Sequence, residues 1–89
     1  KENEALSLGD IEFFVIDEDK EVFGYKRVYN DEEIWTIVNN NPDKFDLSYM
    51  HDLFPMNKKV KDLITGNEYS FDNKKLRSQL KPYQILVLK

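Results

Sequence analysis

The chain of 89 residues has no cysteine, one histidine, three glycines and three prolines. Without cysteine there are no disulfides and no thiolate metal site. His51 stands alone, without the paired-ligand spacing that a zinc site needs. So few glycines leave no phosphate-cradling loop. None of the serines, Ser7, Ser48, Ser70 and Ser78, sits in a Gly-x-Ser-x-Gly elbow. No apolar run approaches the ~20 residues of a membrane-spanning helix. No signal-peptide pattern opens the given sequence, but Lys1 rather than Met stands first, so the natural start is expected upstream.

Basic residues are outnumbered by acidic ones. Seventeen acidic residues against 13 basic ones give a net charge of −4. An acidic surface repels phosphate backbones, which excludes nucleic acid as the expected partner. Anionic membranes are disfavoured for the same reason. The lack of cysteine is compatible with a cytoplasmic location but does not prove it.

Aromatics, in contrast, are plentiful: five Tyr, six Phe and one Trp. This load is too high for a disordered tail. It suits a small sheet protein in which aromatic and β-branched residues pack on pleated surfaces. At this length the chain makes one domain with a thin core.

The pattern along the chain is one of short strands. Ile11 to Ile16 is a nearly continuous apolar run that reads as a buried strand. The acidic cluster Asp17-Glu18-Asp19-Lys20-Glu21 reads as a solvated turn. Val22 to Tyr29 forms the next strand, and Gly24 inside it marks a bulge or a close backbone approach. Asn30-Asp31-Glu32 is a hairpin connection into Glu33–Asn39, which should pair antiparallel with Val22–Tyr29. Its Ile34, Thr36 and Val38 share one face, and Trp35 and Ile37 the other.

The loop Asn39–Asp43 leads to a short strand at Phe45–Leu47, while Ser48–Lys58 shows no clean period. Val60–Ile64 reads as a strand, Thr65-Gly66-Asn67 as a turn and Glu68–Phe71 as a strand. Leu76–Leu80 is a strand or linking loop, and Gln84–Leu88 closes the series after Pro82. Seven or eight short strands with turn signals about every eight to twelve residues indicate an all-β, antiparallel two-sheet sandwich or barrel. An apolar final strand is expected to be tied into a sheet.

No residue set carries catalysis. His51 beside Asp52 reads as a surface or loop histidine, and Ser48 has no positioned base. Asp17, Glu18, Asp19, Glu21, Asp31, Glu32 and Glu33 lie in hydrophilic turns, where desolvation is too weak to raise one carboxyl for acid–base work. Tyr25, Tyr29 and Trp35 read as core aromatics; the alternative is an exposed row on which sugar rings stack.

Six segments in order extend this reading. They are Lys1-Glu2-Asn3-Glu4-Ala5-Leu6, Leu8-Gly9-Asp10-Ile11-Glu12, Val22-Phe23-Gly24-Tyr25-Lys26-Arg27, Trp35-Thr36-Ile37-Val38-Asn39-Asn40, Val60-Lys61-Asp62-Leu63-Ile64-Thr65-Gly66 and Leu80-Lys81-Pro82-Tyr83. Together they resemble the C-terminal β-domain of glycoside hydrolase family 13, the α-amylase family. The Asp-Leu-Ile-Thr-Gly turn is similar to that of neopullulanases and cyclomaltodextrinases. The Leu-Lys-Pro-Tyr segment is similar to that of oligo-1,6-glucosidases.

The resemblance implies a Greek-key β-sandwich at 11–89 with a lead-in at 1–10 from a catalytic (β/α)8 barrel of the same polypeptide. It implies no catalytic residue in this chain, and the residues themselves lead to no expected cofactor or metal. The implied role is accessory: stabilising the barrel of an enzyme acting on α-glucans, with Ala5, Leu6 and Leu8 as barrel contacts and glucan contact as a further option. The alternatives are a free-standing carbohydrate-binding module, with Tyr25, Tyr29 or Trp35 as platform, and a protein-interaction module.

Overall fold

The computed structural model describes residues 11–89, with Tyr29 described by its backbone alone. Eight strands run β1 (Ile11–Asp17), β2 (Val22–Tyr29), β3 (Glu32–Asn39), β4 (Phe45–Met50), β5 (Asn57–Lys61), β6 (Glu68–Asp72), β7 (Lys75–Leu80) and β8 (Ile85–Leu88). They form two four-stranded antiparallel sheets, ordered β1-β2-β3-β8 and β4-β7-β6-β5. In the second sheet the chain crosses from β4 to the far edge, then returns through β5, β6 and β7 to lie beside β4. That order is a Greek key.

The turn residues explain the hairpins. Asn30 and Asp31 have φ of 55° and 68°, and Asn73 and Lys74 have 53° and 64°. Two consecutive positive φ values make the two-residue turn whose twist matches its flanking strands. Asparagine tolerates this left-handed region because its short side chain bonds locally.

The core lies between the sheets. Phe14, Val22, Trp35, Ile37, Leu86 and Leu88 from the first sheet meet Leu47, Val60, Phe71, Leu76 and Leu80 from the second, all buried. Phe54, on the β4–β5 connection, packs its ring against Phe14 and Phe71 at centroid distances of 5.4 and 4.9 Å. Gly24 pairs with Phe14 on one side and Ile37 on the other, in unbroken β2–β3 register. A Cβ there would sit 2.5 Å from the Thr36 carbonyl oxygen and 2.8 Å from the Phe14 ring. The close-approach reading of this glycine therefore holds, and the bulge lies instead on β1, between Val15 and Asp17. Because one obstructing atom is backbone, Gly24→Ala is expected to destabilise by about 1–3 kcal/mol in chemical denaturation.

The sheets join along one side. Lys61 and Lys89 exchange backbone hydrogen bonds of 3.2 and 3.1 Å, and the Leu63 amide donates to the Val87 carbonyl at 2.8 Å. The last strand thus completes the first sheet on β3 and touches the end of β5 in the second.

Two strand assignments need correction. The expected strand Val60–Ile64 begins earlier, at Asn57, and ends at Lys61; Leu63 and Ile64 lie exposed in the following turn. The reason is Asp62, whose carboxylate captures the amides of Ile64 and Thr65 and bends the chain. The second correction concerns burial. β1 is an edge strand, and only Phe14 of its apolar run is fully enclosed.

Candidate functional site

Among the described residues, those with catalytic potential are not assembled into a site. His51 is half-buried against Phe14 and Tyr49, at ring distances of 5.0 and 5.8 Å. Its Nδ1 accepts the Leu53 amide at 3.0 Å, so this imidazole is occupied in shaping a loop. Ser48 is exposed on β4, in register with Arg77. Among the described residues no three His, Asp or Glu side chains converge as metal ligands.

The sugar-platform candidates are dispersed. Trp35 is fully buried; its Nε1 donates to the Leu53 carbonyl at 2.8 Å, and its ring lies 5.1 Å from that of Phe71. It is a core residue and presents no face to solvent. Tyr25 is half-buried on the opposite face of the first sheet, 5.6 Å from the ring of Phe13. Tyr29 lies in β2 opposite Glu32. Ala5, Leu6 and Leu8 lie outside the described residues.

What the first sheet does assemble is an apolar outer face. Strand alternation sends Phe14, Gly24, Ile37 and Leu86 inward, and their neighbours outward. Val15, Phe23, Val38 and Ile85 then form one cross-strand row spanning all four strands. Phe13, Tyr25, Thr36 and Val87 form the next. Ile11, Arg27 and Ile34 form a third. Phe13 is 71% exposed, Val15 60% and Ile85 44%. The run Ile11–Ile16 read as a buried strand because both its faces are apolar, yet only one faces the core. That double-sided pattern was the available signal for this surface.

The second sheet turns the opposite chemistry outward. Lys59, Ser70, Asp72, Arg77, Gln79, Asp46 and Ser48 are exposed on it. Its β6–β7 pairing lasts only for Phe71↔Leu76 and Asp72↔Lys75. There the surface opens into a hollow whose lining includes Lys59, Glu68, Tyr69, Ser70, Asp72 and Arg77.

Two loops frame the sandwich. In the first, Asp62 is buried and its carboxylate accepts from Val87 N, Ile64 N, Thr65 N and Thr65 Oγ1 at 3.0, 3.2, 3.3 and 2.7 Å. Burial alone would raise its pKa. The bonds from Val87, the Thr65 hydroxyl, Ile64 and the Thr65 amide outweigh that and hold the carboxyl below the ordinary aspartate value of 3.8. Gly66, at φ 84°, closes this turn by donating to the Asp62 carbonyl at 2.7 Å.

The second loop is Lys81-Pro82-Tyr83-Gln84. Gln84 N donates to the Lys81 carbonyl at 3.0 Å, and Tyr83 occupies the left-handed region at φ 57°. Proline followed by a positive φ is the pattern of a type II turn, whose third position ordinarily takes glycine or asparagine. The turn is fastened by Asn39, whose side-chain amide donates to the Lys81 and Asp43 carbonyls at 2.9 and 3.0 Å.

Comparison with known proteins agrees with this architecture. Residues 14–89 match the family model of the cyclo-malto-dextrinase C-terminal domain. The crystal structure of an AmyP variant in complex with maltotriose superposes with a TM-score of 0.75 at 23% identity, covering 94% of this chain. The chain spans only 17% of that relative's length. No curated protein matches the sequence significantly. The eight-stranded Greek-key sandwich and the match over 76 of its 89 residues place this chain in the cyclo-malto-dextrinase C-terminal domain family, the C-terminal β-domain of α-amylase-family glycosidases.

Proposed function

We propose that this chain is a non-catalytic accessory domain of an enzyme acting on α-glucans, and that it stabilises the catalytic (β/α)8 barrel of the same polypeptide by packing its first sheet against it. The observation that carries this reading is the apolar outer face of β1-β2-β3-β8. Phe13, Val15 and Ile85 expose large apolar side chains in register beside Phe23, Tyr25 and Val38. A contiguous apolar face of this kind on a small domain marks a contact surface. The charged outer face of the second sheet has no such character, so the domain has one side for solvent and one for a partner. Family membership supports a barrel as that partner.

Val15→Lys tests the reading. Val15 is exposed at the sheet edge, so the substitution should change the stability of the 89-residue chain itself by no more than about 0.5 kcal/mol. In the whole enzyme polypeptide it would place a charge in an apolar contact. Its unfolding temperature should then drop by several degrees. Equal behaviour of wild type and variant in the whole polypeptide would reject packing through this face.

Glucan contact through Tyr25 is a second reading, favoured by the paired rings of Phe13 and Tyr25 on the same face. The two readings compete for one surface. Chemical-shift changes of Tyr25 on titrating this chain with maltotriose would favour sugar contact.

A further inference from the structure

Tyr83 stands out because its position and its side chain pull in different directions. Its φ of 57° is one that side chains with a Cβ adopt at a cost and that glycine adopts freely. The turn around it is heavily determined. Beyond the Asn39 bonds to Lys81, the Lys81 amide donates to Gln84 Oε1 at 2.7 Å and the Tyr83 amide to the Asn41 carbonyl at 3.1 Å. A bulky residue under such strain is usually repaid by burial of its ring. Here the residue is 61% exposed. Most of the tyrosine's surface is therefore left uncovered by the domain, while the hydrogen bonds of the turn hold its backbone in place.

Strained, over-determined positions of this kind cluster at binding sites. Tyrosine suits such a role because it brings a large contact area with few rotatable bonds and a wet hydroxyl. Its place in the fold points to the occupant. Tyr83 lies in the turn two residues before Ile85, the β8 member of the row Val15–Phe23–Val38–Ile85, so its backbone stands beside the β8 end of the apolar face.

We infer that Tyr83 is a pre-set anchor residue of the interface with the catalytic domain of the same polypeptide, filling a recess on that partner at the rim of the apolar face. This rests on the docking reading above and adds a specific residue to it.

The test is a reversal of sign. Tyr83→Gly relieves the backbone strain, so in this 89-residue chain the melting temperature should rise, by about 2–5 °C on the scale of small domains. In the whole enzyme polypeptide the same change removes the anchor, and the unfolding temperature should fall. Tyr83→Asn, which also tolerates positive φ, should repeat the pattern without the added flexibility of glycine. A rise in both contexts would show that the ring meets no other part of the polypeptide and would overturn the inference. A fall in both would make Tyr83 an internal packing residue and overturn it equally. A rise in both together with weakened retention on a maltodextrin gel would assign the ring to sugar instead. Val15→Lys distinguishes the two levels: if it destabilises the whole polypeptide while Tyr83→Gly does not, the docking face stands and the anchor falls.

Discussion

Asp62→Ala is expected to destabilise the domain by at least about 3 kcal/mol, read as a lower urea midpoint at neutral pH. The substitution strips the acceptor from three backbone amides and one hydroxyl at once, at a residue that is itself fully covered. Hydrogen bonds to a carboxylate are stronger than neutral ones, and donors left unmatched in the interior bear their full desolvation penalty. The damage should also be non-local. Val87 N belongs to the last strand and Ile64 N to the turn after β5, so the one carboxylate ties the two sheets together.

Acid should produce the same effect reversibly. The folded carboxyl titrates below the ordinary value of 3.8, so its contribution is fully present above that value and is lost as pH falls through the lower folded pKa. Asp62→Asn keeps the shape and removes the charge. It should be weaker than wild type at pH 7 and should flatten the acid limb of the stability curve below 3.8. An acid limb unchanged in Asp62→Asn would contradict this assignment.

Trp35→Ala is expected to be at least as severe, at about 3–5 kcal/mol. The indole is fully enclosed, packs on Phe71 and spends its N–H on the Leu53 carbonyl at 2.8 Å. Lys26 and Lys58 place their ammonium groups 5.9 and 5.4 Å from its ring. Removal leaves a cavity and an unmatched carbonyl in a chain whose whole stability is roughly 4–13 kcal/mol by its length. Trp35→Phe should recover part of the loss by filling most of the space. A Trp35→Ala protein that unfolds at the wild-type urea concentration would contradict the core placement.

How far the molecule was legible in its sequence depends on where the signals were local. The hairpin at Asn30-Asp31 and the bounds of β2 follow from turn chemistry and strand composition, and both agree with the structure. Asp72-Asn73-Lys74 reads as a turn in the sequence, and the structure turns at Asn73-Lys74. β5 was displaced because its residues, Asn57 to Lys61, carry little apolar signal, whereas Leu63 and Ile64 beyond it look like strand and are exposed turn. The Asp62 carboxylate bends the chain there by capturing the Ile64 and Thr65 amides, and the tertiary bond from Val87 holds that carboxylate in place.

The candidate interface was half visible. The continuous run Ile11–Ile16 announced two apolar faces, but which of them meets the core depends on sheet order. The strain at Tyr83 was not legible, since Pro-Tyr alone does not specify a positive φ. Trp35 illustrates the reverse case. A lone tryptophan invites a ligand role, and its burial on the same face as Ile37 follows from the alternation of β3.

The position of β8 has a consequence for the order in which the molecule can be made. Ribosomal synthesis delivers strands one to seven first. Neighbouring strands β1-β2-β3 and β5-β6-β7 can zip as they emerge, because their partners are close in sequence. Yet Leu86 and Leu88 fill the interior, and Val87 brings Asp62 its amide, only after the eighth strand has left the exit tunnel. Until then Asp62 is a charge without that partner and β3 has an open edge. The nascent domain should therefore remain protease-sensitive through nearly its whole synthesis and become resistant abruptly at the end.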